Sequence, residues 1–211
     1  METAQTEHQS AMLQTVDGIK KFIEKRIPSD VINHKINAWV FIWYTGGGNL
    51  GHAAMYIGPI AYESTYVSWW PQFEDDKFLF RKYPARASDG YERDCSREDC
   101  SPDVIYGLKS LDEAAMLHAW REICFSKASP SFQSLSKNCA HIVARVIKAG
   151  LVNSPLRHSV FGMLDGNFYV QTPKRIAVVC NELRNKNMAV KLVLAAKTVN
   201  LNPFKIAFRL R

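Results

Sequence analysis

Met12, Val16, Ile19, Phe22 and Ile23 recur at helical spacing within residues 9 to 26, and four bases, Lys20, Lys21, Lys25 and Arg26, precede Pro28. This pattern predicts an amphipathic lead-in helix. From Ile36 to Tyr44 the chain turns β-branched and aromatic, which predicts a strand stopped by Thr45-Gly46-Gly47-Gly48-Asn49. Gly51 to Ile57 and Ile60 to Trp70 flank the turn signal Gly58-Pro59 and read as an antiparallel hairpin. Residues 72 to 102 are charged and turn-rich and are expected to be a loop excursion, ending in a strand from Val104 to Leu108. Ser110-Leu111-Asp112-Glu113 reads as a capping box opening a helix to about Phe125. A second helix is expected from Asn138 to Gly150, with the glycine in a left-handed cap, and a third from Pro173. An apolar-basic segment, residues 188 to 199, follows.

These elements imply an α+β protein, and 211 residues with 47% hydrophobic and 22% charged positions suffice for one core. The net charge of +7 is unevenly placed. Residues 151 to 211 hold ten Lys and Arg against two acids, Asp165 and Glu182, so that third is +8 and residues 1 to 150 sum to −1. Bases interleaved with apolar residues (Lys191, Lys197, Lys205) suit an anionic membrane surface, and no recognisable nucleic-acid fold accompanies them. Five cysteines without a CxxC pair argue against a zinc ribbon or a closed disulfide framework and for a reducing, cytoplasmic setting. No metal site is expected. The polar N-terminus predicts no secretory signal, and no apolar run predicts a membrane span.

The chemistry concentrates at Asn138-Cys139-Ala140-His141. From Cys139 the apolar residues Ile142, Val143 and Val146 fall three, four and seven positions on, so the thiol shares the buried stripe at a helix start. The exposed N–H groups and positive end of a helix favour thiolate and can hold an oxyanion. A lone buried cysteine is more often a small hydrophobe, so a base is required. His52 fits best because it opens a strand after a glycine turn; His8, His34, His118 and His158 are poorly placed, and His141 faces away from Cys139. Gly46 to Gly48 lacks the lysine of a phosphate loop and reads as a hinge over the site.

Gly-His-Ala-Ala-Met-Tyr-Ile-Gly at 51 to 58 and Asn-Cys-Ala-His-Ile-Val at 138 to 143 resemble the histidine strand and nucleophile helix of circularly permuted papain-like (NlpC/P60-type) enzymes. Tyr66-Val67-Ser68-Trp69-Trp70-Pro71, the strand at Val104 to Leu108, the helix containing Trp120, and Thr172-Pro173 narrow the likeness. Together they are similar to the Rho-inactivation domain of large bacterial MARTX toxins and to related injected effectors, which are Cys-His-Asp lysine Nε-fatty acyltransferases. The resemblance spans roughly residues 36 to 185. It implies a lead-in at 1 to 35, a catalytic domain at 36 to 185 with an antiparallel sheet on the nucleophile helix, and a basic extension at 186 to 211.

By that resemblance Cys139 is the nucleophile, His52 its base, and Asp103 the residue orienting the imidazole, with Glu63 the alternative across the hairpin. Trp69, Trp70, Tyr66 and Asn138 are the implied substrate-binding residues. The implied reaction moves a long-chain acyl group from acyl-CoA, a co-substrate and not a bound cofactor, through a Cys139 thioester to lysines of a target protein. The implied location is cytoplasmic or peripheral to a membrane, after delivery into a host cell. Two alternatives are a thiol hydrolase (peptidase or isopeptidase) and an inactive membrane-associated binding module.

Overall fold

The computed structural model describes residues 11–46, 50–72, 82–125, 130–164 and 170–194. In chain order the elements are α1 (Val16–Glu24), α2 (Ser29–Lys35), β1 (Ile36–Trp43), β2 (His52–Ile57), β3 (Thr65–Val67), β4 (Trp69–Pro71), β5 (Tyr83–Ala87), α3 (Tyr91–Glu98), β6 (Val104–Lys109), α4 (Glu113–Phe125), β7 (Ser131–Phe132), α5 (Cys139–Gly150), α6 (Arg157–Leu164), α7 (Pro173–Asn185) and β8 (Ala189–Val193). Five strands form an antiparallel sheet in the order β3-β2-β1-β6-β8, and β4-β5-β7 form a smaller one. The fold is α+β.

The alternating side chains of β1 explain why its sequence is apolar from Ala38 to Trp43. Ala38, Val40 and Ile42 pack with residues of α4, α5 and α7 on one face, while Trp39, Phe41 and Trp43 pack with α1 and with Tyr91 and Cys95 of α3 on the other. Both faces of the central strand are covered, so between Ala38 and Trp43 no polar position marks its period. Gly107 of β6 permits this packing, because a Cβ there would lie 2.9 Å from the Trp39 ring.

Several expectations are revised by the fold. The supposed strand from Ile60 to Trp70 is two strands in different sheets, broken at Ser68. Residues 72 to 102 are not all loop: they contain β5 and the helix α3. The cap of α4 is Asp112, whose carboxylate accepts from Ala115 N–H at 2.9 Å, whereas Ser110 takes a left-handed conformation (φ 57). Gly150 ends α5 without a left-handed cap; a Cβ there would meet Met116 Cγ at 2.8 Å, so its smallness serves the close approach of α4. Ala189–Val193, placed in the basic extension by the sequence, pairs with β6 inside the main sheet. Likewise α1 packs on the sheet face that carries α3 and is part of the core.

Among the described residues no helix is long and apolar enough to cross a membrane, and no cluster of His, Cys, Asp or Glu is arranged to hold a metal ion. Gly47, Gly48, Lys197, Lys205 and His8 lie outside the described residues.

Candidate active site

Two local devices bring Cys139 into place. Asn138 has extended backbone and caps α5: its Oδ1 accepts from His141 N–H at 2.9 Å, and its Nδ2 donates to the carbonyls of Ser134 (2.7 Å) and Gln171 (2.8 Å). The intrahelical ladder begins with Ile142 N–H on Asn138 O, so the N–H groups of Cys139 and Ala140 have no acceptor within the helix. Cys139 follows the cap, buried on the same face as Ile142, Val143 and Val146. It is one of five free thiols. Burial pushes Cys95 up to about 12 and raises Cys180 further still, which leaves them poor nucleophiles.

His52 begins β2 opposite Trp43 of β1. The preceding Gly51 has φ 79, and a Cβ there would lie 2.5 Å from the Trp43 carbonyl oxygen, so only glycine admits the chain to the strand at this angle. The imidazole is 1% exposed, and its Nε2 lies 3.0 Å from both Asp94 Oδ2 and Ser68 Oγ. Nε2 being engaged, Nδ1 is the ring nitrogen left to face Cys139, which lies close enough for its charge to raise the imidazole's pKa.

Asp94, on α3, is the carboxylate at the imidazole and is fully buried. Its Oδ2 also accepts from Tyr66 OH at 2.9 Å, and its Oδ1 accepts from Trp70 Nε1 (2.8 Å) and Ser88 Oγ (2.6 Å). Burial opposes its ionisation, but the His52 charge and hydrogen bonds from His52, Ser68 and Ser88 outweigh burial and hold the carboxyl below its ordinary value. For His52, burial pulls toward the neutral ring. The charge of Asp94, then that of Cys139, and hydrogen bonds to each prevail, raising it to about 10. Asp94 therefore favours the imidazolium form of His52.

The geometry brings together Cys139 and His52 but neither carboxylate expected to join them. Asp103 precedes β6, and β1 lies between β6 and β2 in the sheet. There its Oδ2 accepts from Tyr44 N–H at 2.7 Å, closing the end of β1. Glu63 is exposed in the turn beyond Ile57, at the opposite end from His52 of a strand about 17 Å long.

The four residues expected to bind substrate have other work. Trp69 is a core residue, edge-on to Trp120, with its Nε1 donating to Ser131 O at 3.2 Å. Tyr66 and Trp70 hold Asp94, and Asn138 is spent on the helix cap. His141 bonds Asn138 Oδ1 through Nδ1 at 3.1 Å, and burial lowers it to about 4, so it is neutral.

Sequence reasoning missed Asp94, Ser68 and Ser88. The buried positions of α3 are Tyr91, Asp94, Cys95 and Glu98, a helical spacing in which two of four members are acids. A hydropathy pattern hides such a face, but a helical period counted with buried acids allowed reveals it.

Residues 102 to 200 match the family model described as the IcsB middle domain, a bacterial effector domain. The match covers Cys139 and α5 but stops short of His52 and Asp94, and it spans less than half of the chain. No curated protein and no solved structure matches. Over residues 102 to 200, then, the chain is similar to a bacterial effector domain.

Proposed function

We propose that the protein is a cysteine-dependent acyltransferase in which Cys139, His52 and Asp94 act as nucleophile, acid–base and orienting carboxylate. The observation that carries the reading is the buried His52–Asp94 pair with the Cys139 thiol near enough to act on the imidazole, the three residues coming from three separate elements. The charge and hydrogen bonds around Asp94 outweigh its burial and keep it ionised, so its role is to hold the imidazole and its charge.

In the first half-reaction Cys139 Sγ attacks the carbonyl carbon of an acyl thioester, and the N–H groups at the start of α5 face the developing oxyanion. The His52 imidazolium passes its proton to the departing thiolate, which leaves as a free thiol, giving an acyl-Cys139 thioester and a neutral imidazole. In the second, an amine attacks that thioester, His52 takes the amine proton, and collapse returns Cys139 with an amide product. The long-chain acyl-CoA donor, the lysine acceptor on a target protein and action after delivery into a host cell follow from the likeness to fatty-acylating effectors, supported by the effector-domain match.

Incubating purified protein with palmitoyl-CoA tests the reading. A hydroxylamine-labile mass increase that requires Cys139 and is discharged by a lysine-bearing acceptor is expected. An acyl-enzyme that discharges only to water would replace the transferase with a thiol hydrolase.

A further inference from the structure

Trp70 touches both partners of the acid–base pair. Its indole lies on the His52 ring with centroids 4.3 Å apart and planes 23° from parallel. Its Nε1 donates to Asp94 Oδ1, on the carboxylate whose other oxygen holds His52. The neighbouring Trp69 points the opposite way into the core, as successive strand residues must. From α3, Arg97 lies one turn beyond Asp94 and places its guanidinium 4.9 Å from the indole centroid. One helix thus holds the indole twice, by its N–H and by its ring.

This arrangement constrains what a hydrogen bond alone leaves free. Both polar contacts of the imidazole, to Asp94 and Ser68, fall on Nε2, so they fix one corner of the ring and permit tilt about it. A flat indole against the ring face removes that tilt and with it the wander of Nδ1. We propose that Trp70, clamped by Asp94 and Arg97, is a positioning residue that fixes the plane of the His52 ring toward Cys139. The aromatic face also supports the cationic ring, since cation and π-face attract. The catalytic consequence rests on the acyltransfer reading; the position and protonation of His52 do not.

The charged and titratable groups facing His52 are Asp94 and, through the indole, Arg97 on α3, Cys139 on α5, and Tyr66, whose hydroxyl shares Asp94, on β3. The test follows the His52 ring nitrogens by NMR across pH in full-length wild type, Trp70→Phe and Trp70→Leu, with iodoacetamide alkylation of Cys139 followed by intact mass at pH 7. Trp70→Leu, which removes face and N–H, is expected to lower the His52 midpoint by one pH unit or more and to slow alkylation at least tenfold. Trp70→Phe keeps a face without the N–H and should recover part of both. A folded Trp70→Leu protein with the wild-type midpoint and alkylation rate would overturn the proposal; if that variant does not fold, wild-type values in Trp70→Phe would do so. Loss of acyl transfer in the wild-type assay alongside intact Trp70 effects would sink the reaction, not the positioning.

Discussion

Replacing Asp94 by Asn keeps the shape of the side chain and removes the charge that dominates the site. Raising His52 from 6.5 to about 10 corresponds to about 5 kcal/mol of preference for the imidazolium. Asp94 is the largest contributor in that direction, while burial acts against it. Without the carboxylate, burial should return the midpoint to 6.5 or below. The two groups enter stability with opposite signs. His52, raised on folding, contributes fully below pH 6.5 and loses that contribution as pH climbs through about 10. Asp94, lowered on folding, contributes above 3.8 and loses it as pH falls further. Wild-type unfolding free energy should therefore decline from pH 6.5 toward 10, and Asp94→Asn should abolish that decline. Breaking a buried pair costs about 3 to 5 kcal/mol, and escape of His52 to its neutral form places the variant near 3 kcal/mol at pH 6.5. Urea unfolding at a series of pH values measures both quantities. An Asp94→Asn protein with the wild-type slope between pH 6.5 and 10 would refute the assignment of the His52 charge to Asp94.

Three further substitutions separate the site from its supports. Asp103→Ala removes the acceptor of Tyr44 N–H and should cost about 1 to 3 kcal/mol in urea unfolding while leaving the His52 titration unchanged. Gly51→Ala forces a side chain into φ 79 against the Trp43 carbonyl and should cost about 1 to 3 kcal/mol, with slower Cys139 alkylation because His52 is the next residue. Asn138→Ala uncaps α5 for about 1 kcal/mol and should also slow alkylation, measured at a pH where both proteins are folded.

Cys139, His52 and the strands and helix that carry them were legible because their local signals agree with the fold. Asn138 is a cap, the apolar stripe from Cys139 has helical period, and Gly51 stands where the strand entry needs a positive φ. The third member was not legible for two physical reasons. Pairing of strands is non-local, so nothing near Asp103 revealed that β1 separates its strand from β2. And α3 turns acids inward, where Asp94 collects donors from β3, β4 and the turn before α3 instead of facing water. The same donors explain why Tyr66 and Trp70, read as walls of a substrate channel, belong to the carboxylate. The segment at 188 to 194 read as surface because it is an edge strand, with a single base on an apolar background; that base, Lys191, lies over the Tyr106 ring at 5.6 Å.

The central claim is that Cys139 carries the acyl group between donor and amine. Peptide mapping after brief reaction with palmitoyl-CoA, before and after addition of a lysine-bearing acceptor protein, tests it most directly. The account predicts a palmitoyl thioester on Cys139, absent in Cys139→Ala and strongly reduced in His52→Ala, that disappears as an amide-linked palmitoyl group appears on acceptor lysine. Acceptor acylation that proceeds equally well in Cys139→Ala would contradict it.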